Sequence, residues 1–157
     1  MGSGFGRGSS HGALLQTTFN EQDPNFSPDG KWIAYQSDAS GRDEIYVGPF
    51  PASMHRWQVS TAGGTAPRWK ADGRELFYRN GTKLMAVNVR SGAELVLGKA
   101  IELFESPEGI ASDFDIAHDG QRFVMIDERT DPLAPHLKLV LNWSEELKRL
   151  VPTRGEP

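Results

Sequence analysis

The chain has 157 residues, 38% hydrophobic and 24% charged, with a formal net charge of −4. That size and balance fit one globular unit with a real core, and the acidic sign lacks the basic excess that nucleic acid or an anionic membrane surface requires. Having no cysteine, the chain carries neither a disulfide framework nor a thiolate zinc site, which leaves cytoplasm and periplasm equally open for a soluble protein.

Residues 1–11, rich in glycine and serine, read as a flexible linker or cloning remnant, since such composition buries too little surface to order itself. No stretch approaches the ~20 apolar residues of a membrane span. GALLQTT (12–18) reads as a lone outer strand. FSPDGKWIAY (26–35) then sets a dense turn signal between two apolar runs, and EIYVGPF (44–50) and RWQVST (56–61) follow as further strands.

The phrase recurs as WKADGRELFY (69–78), with KLMAVNV (83–89) and AIELF (100–104) behind it, and again as IAHDGQRFVM (116–125). Gly30, Gly73 and Gly120, the glycines of the three Asp-Gly pairs, stand 43 and 47 residues apart. Asp-Gly suits a tight hairpin because glycine accepts a positive φ and the Asp side chain bonds nearby backbone. The third unit has strands at DFDIA, RFVMI and LKLVLNW (137–143), then SEELKRL, where Ser144 caps a short helix over about 144–150. Its fourth strand is missing. Antiparallel four-strand units of this length predict an all-β fold of the propeller type.

The segments NEQDPNFSPDGKWIAYQSDASGRDEIYVGPFP, STAGGTAPRWKADGRELFY and DIAHDGQRFVMI resemble TolB-type, WD40-like β-propeller repeats. The run through LVLNWSEELKRLVP is similar to the C-terminal propeller part of sensor proteins associated with bacterial serine/threonine kinases, and the likeness covers about residues 13–152. It implies blades at about 19–62, 63–108 and 109–143, as part of a ring of six to eight whose innermost strands line a channel. Three blades alone would expose two apolar sheet faces. The expectation is therefore a homodimer: two wedges head to tail about a two-fold axis form a six-bladed ring, with strand 12–18 exchanged to complete the partner's third blade. A piece cut from a longer chain is the alternative.

No kinase motif is present, so the chain is not a kinase domain. GSSHG around Ser10 lacks the strand and helix of a nucleophile elbow, GAELVLGK (92–99) has the wrong spacing for a phosphate loop, and DFDIAHDG (113–120) lacks calcium-loop spacing. His11, His55, His118 and His136 stand alone and read as surface residues, while Trp32, Tyr35, Trp69, Phe77 and Tyr78 read as filling between blades.

The resemblance implies a site at the channel mouth. Glu21 and Asp23 would sit in the loop before the first blade, Thr65 before the second, and Ser112 and Asp113 before the third, with Asp38, Asn80 and Glu128 on neighbouring loops. Such a mouth points to a binding or interaction module for a small molecule or peptide. The alternative is a metal-dependent hydrolase of esters, lactones or phosphotriesters, in which Asp23 and Asp113 hold a divalent cation that activates water. The plainer reading of the same carboxylates is that they make turns.

Overall fold

The structure, a computed structural model, describes residues 17–51, 55–92, 94–107, 110–127 and 136–140. All of its regular elements are strands. The first sheet is β1 (Glu21–Phe26), β2 (Trp32–Ser37), β3 (Glu44–Pro49) and β4 (Trp57–Gln58), antiparallel in that order. The second is β5 (Thr65–Trp69), β6 (Glu75–Asn80), β7 (Lys83–Ser91), β8 (Leu95–Leu97) and β9 (Ile101–Glu105). The third is β10 (Ile110–Ile116), β11 (Phe123–Asp127) and β12 (His136–Val140). Each sheet is one of the blades expected from the repeat. Among the described residues no helix is long and apolar enough to cross a membrane.

The three Asp-Gly turns are the same object. Gly30, Gly73 and Gly120 have φ of 69°, 70° and 68°, a region glycine enters without a Cβ penalty. Their N–H groups donate to Ser27, Lys70 and Ala117 carbonyls at 2.8, 2.9 and 2.8 Å. In each turn the Asp side chain accepts the N–H two residues on: Lys31 to Asp29 at 3.2 Å, Arg74 to Asp72 and Gln121 to Asp119 at 2.9 Å. The carboxylate thus satisfies a donor that the turn would otherwise leave to water.

Two elements differ from the sequence reading. β8 was not expected; it arises because β7, at nine residues, is long enough to hold two partners on one edge, pairing Val89 with Leu97 and Lys83 with Glu105. Leu95 is buried and Val96 exposed, the alternation of a half-buried strand. Thr17 and Thr18 lie outside any strand, and the rest of the expected strand 12–18, the linker 1–11 and the helix near 144–150 fall outside the described residues.

Side chains of alternating faces build two cores between neighbouring sheets. Trp32, Ala34, Ile45 and Val47 of the first sheet meet Trp69, Leu76, Tyr78, Val87 and Val89 of the second. Phe77, Leu84 and Ala86 on the other face of the second sheet meet Phe114, Phe123 and Met125 of the third, with Phe77 and Phe123 edge-on at 5.3 Å. Trp32, Trp69, Phe77 and Tyr78 therefore fill the space between blades as expected, whereas Tyr35 joins Ile33 and Tyr46 on the outer face of the first sheet. Two indole N–H groups cross the first junction, Trp32 to Ser91 Oγ at 2.8 Å and Trp69 to the Asn25 carbonyl at 3.1 Å. A buried aromatic of this kind contributes about 2–3 kcal/mol.

Two charged side chains are buried at these junctions. Glu44 accepts from Arg42 Nε at 2.7 Å, from Gly63 N at 3.0 Å and from the Ser60 hydroxyl, which in turn accepts from Ile45 N at 2.8 Å. This carboxylate anchors the connection that feeds β5. Arg79 donates to Ser106 Oγ at 2.8 Å and faces Met125 Sδ at 3.9 Å, while its buried Nε has no partner. Burial pulls its guanidinium below the ordinary arginine value.

Glu44→Ala leaves the Gly63 amide and Ser60 hydroxyl unpaired and is expected to cost about 2–3 kcal/mol in urea unfolding, with Glu44→Gln recovering part of it. In the first turn, the Ser27 hydroxyl, then the Lys31 amide, hold the Asp29 carboxyl below its ordinary range. A depressed folded value stabilises above the unfolded value and is lost as pH falls through the folded one. The gap between wild type and Asp29→Ala should therefore be about 0.5–1 kcal/mol at pH 7, an exposed group's share, and close below about pH 4.

Candidate functional site

The inner strands of the three sheets, β1, β5 and β10, stand side by side, and each carries a break in register: between Gln22 and Asn25, between Thr65 and Arg68, and between Ile110 and Phe114. Asp23, Ala66 and Asp113 occupy these breaks, each seven residues ahead of its turn glycine. At the first two, φ is 48° and 50°. Aspartate tolerates this left-handed region and alanine does so only under strain, so the bulge is imposed by the sheet rather than by the residue. Its effect is to re-aim the next side chains toward the inner side of the wedge.

There a cleft of about 670 Å³ opens among Asp23, Asn25, Arg68, Asp113, Phe114 and Asp115, with Val124 to Ile126 of β11 as its far wall. Arg68 is its centre. Its Nη2 donates to Asp113 Oδ1 at 2.7 Å, its Nη1 donates to the Pro67 carbonyl at 2.9 Å, and its guanidinium carbon lies 6.0 Å from the centre of the Phe114 ring. The Asp113 side chain is 69% exposed and that of Arg68 25%. An ion pair so open to water is worth at most about 1 kcal/mol and can exchange partners with an incoming charged or hydroxylated group. Asp113 Oδ1 also accepts the Phe114 amide at 3.0 Å, and Asp115 Oδ1 the Ile116 amide at 2.8 Å, so both carboxylates are oriented. Asn25 is committed elsewhere: its Oδ1 accepts the Trp69 amide at 3.1 Å across the blade junction.

Of the residues expected at the channel mouth, Asp23 and Asp113 come together in this cleft, and they lie within β1 and β10 rather than in the loops before them. The strands begin earlier than expected because the bulge lets pairing resume upstream of it. Ser112 is likewise inside β10. Glu21 heads β1 and accepts from Thr17 Oγ1 at 2.7 Å; Thr65 heads β5 opposite Arg79; Asp38 accepts the Asn20 amide at 2.9 Å; Asn80 ends β6. None of these four lines the cleft. Glu128 lies outside the described residues. Arg68 and Asp115 were missed, although both hold the repeat position of Asn25, five residues ahead of the turn glycine.

Three carboxylates and one guanidinium line this cleft, yet among the described residues no three His, Cys, Asp or Glu side chains stand close enough to hold a metal ion. A larger groove of about 1140 Å³ lies at the turn end between the first two blades. Of its lining residues, Asp29 and Asp72 close their own turns and the Trp32 indole is bonded to Ser91, while Arg74 and Arg90 add two guanidinium groups to its rim.

No family model matches the chain, and no curated protein matches it in sequence. Solved structures do match. Oligogalacturonate lyase from Vibrio parahaemolyticus is 17% identical, with a TM-score of 0.59 over 80% of this chain and 39% of its own. A putative TolB from Agrobacterium tumefaciens is 16% identical, with a TM-score of 0.57 over 79% of this chain and 46% of its own. An oligogalacturonate lyase in complex with manganese is 14% identical, with a TM-score of 0.53 over 78% of this chain and 43% of its own. The chain thus spans less than half the length of each of these proteins. At such identities the likeness speaks for architecture alone, and the architecture is a β-propeller fold, of which the described residues form three blades.

Proposed function

We propose that the chain is a ligand-binding propeller module whose site is the cleft at the inner strands. The observation that carries this reading is the convergence of Asp23, Arg68 and Asp113, one from each of three blades, on one concave surface. The cleft combines an excess of oriented carboxylates, one guanidinium seated over an aromatic ring and an apolar floor. That set suits a short peptide carrying a basic side chain: its ammonium meets Asp23 and Asp113, its backbone carbonyl takes the Arg68 guanidinium released from Asp113, and an apolar neighbour rests on Phe114. The kinase-associated sensor role suggested by sequence likeness is compatible with such a module.

The hydrolase reading has less support. Asp113, one of its two proposed ligands, is engaged by Arg68, and a cation on Asp23 and Asp113 alone would lack the six or so oxygen ligands a hard divalent ion takes. The manganese neighbour makes a divalent cation a reasonable thing to test.

Fluorescence polarisation with a tetrapeptide library bearing one Lys, one Glu or neither, and with trigalacturonate as an anionic sugar probe, tests the assignment. Lys-bearing peptides with an apolar neighbour are expected to bind best. Asp113→Asn should weaken them about tenfold, the share of one charge-assisted contact, without moving Tm by more than about 2 °C. Binding that ignores both Asp113→Asn and Arg68→Gln would refute the site. Chelator and added manganese are expected to leave Tm and peptide affinity unchanged, as read by thermal melts and the same titration.

A further inference from the structure

We infer that a second copy of this chain completes the channel, its third blade packing on the first blade of this one and the reverse, so that the cleft described above is half of a two-fold site. The inference is independent of which ligand the cleft takes.

Residues in the same place in the repeat do the same packing work. Phe26, Trp69 and Ile116 each stand four residues before a turn glycine; Ile33, Leu76 and Phe123 stand three after; Tyr35, Tyr78 and Met125 stand five after. In the second and third blades these positions are the face that packs on the preceding blade. Trp69, Leu76 and Tyr78 are 8%, 0% and 3% exposed against the first sheet, and Ile116, Phe123 and Met125 pack against the second. The first blade carries the same apolar set, and no blade precedes it among the described residues. On it Ile33 and Tyr35 are 3% and 2% exposed, closed within the chain, while Phe26 is 53% exposed. Phe50 repeats the pattern. Its amide bonds the Lys31 carbonyl as that of Val89 bonds the Arg74 carbonyl, yet Val89 is 2% exposed and Phe50 42%. The two phenylalanine rings lie edge to face at 5.0 Å in the open.

The other end of the wedge is its complement. Ala34, Phe77 and Val124 share a position facing the following blade. Ala34 and Phe77 are fully buried by that blade, whereas in the third sheet Val124 is half-buried and Ile126, two residues on, is 44% exposed. One end therefore presents a leading face, the other a trailing face, and each is the kind of surface the other buries inside the chain. Proportion sets how many copies a ring can hold. The chain spans 39% to 46% of the propellers it matches, so a second set of three blades brings the total close to one such ring, and a third set exceeds it. A two-fold head-to-tail pair uses both open faces at once and leaves none to propagate.

The upper part of the leading face is closed within the chain, with the Arg56 guanidinium 5.0 Å over Tyr46 and 5.7 Å over Phe19. Arg56 and Phe19 are themselves exposed, and they are the described side chains an arriving blade moves aside. Ring closure then sets a second Asp23, Arg68 and Asp113 across the channel. Val124 and Ile126 pass from cleft wall to blade junction.

Light scattering and equilibrium sedimentation of the wild-type chain from about 1 to 100 µM test this. The expected mass is twice that of the chain. Phe26→Asp and Ile126→Asp, both at exposed positions, should each give single chains with unchanged far-ultraviolet circular dichroism, raising the dimer dissociation constant at least a hundredfold, while Phe26→Leu keeps the dimer. A wild type of unit mass at 100 µM, a mass that climbs beyond two copies, or a dimer indifferent to both Asp variants would overturn the inference. Peptide affinity is read separately through Asp113→Asn, so loss of the ligand reading and loss of the ring are distinguishable.

Discussion

The structure depends on one constraint: a four-stranded antiparallel sheet has two apolar faces, and each must be buried against another sheet. Within the chain this is met twice, by the cluster around Trp32, Trp69 and Tyr78 and by the cluster around Phe77, Phe123 and Leu84. Burial of side chains this large outweighs the modest net contribution of any hydrogen bond in the turns. The polar elements set geometry instead. Trp69 bonded to Asn25 and Trp32 bonded to Ser91 fix how one sheet is rotated on the next. Because the junctions fix the rotation, they also decide where the inner strands point.

The candidate site follows from that rotation together with the inner-strand bulges. Without its break in register, β5 would keep regular alternation through Arg68; with it, the guanidinium crosses to the neighbouring blade and meets Asp113 on β10. Glu44 contributes from a distance, since its bonds to Gly63 and Ser60 hold the connection into β5. The two buried charges contrast. Glu44 has its oxygens satisfied, whereas Arg79 keeps a bare Nε and no carboxylate within ion-pair distance among the described residues. A buried guanidinium with so few partners weakens the second junction relative to an apolar side chain of the same size.

The repeat supplies a common explanation for the exposed phenylalanines and the half-open cleft. Phe26 and Phe50 are not irregular surface residues; they are the first blade's version of Trp69 and Val89. The cleft takes its far wall from β11, where Val124 and Ile126 hold the repeat positions that in the first two sheets face the next blade.

Much of the fold was legible in the sequence because its signals are local. Asp-Gly at residues 29, 72 and 119, flanked by apolar alternation, needs nothing distant to make a turn, and the three turns form the same hydrogen bonds. The repeat length and the placement of most aromatics between sheets followed from the same pattern. Tertiary structure decided what depends on register and rotation. β8 exists because β7 has edge to spare, which no local preference announces. Asp23 and Asp113 were readable as residues of interest, but that they share a cleft, that Glu21, Asp38, Thr65 and Asn80 do not, and that Arg68 sits between them came from inner-strand bulges and sheet packing. A turn is set by the backbone preferences of four residues; a site assembled from three sheets is set by how their faces pack, and single-sequence periodicity carries no measure of that.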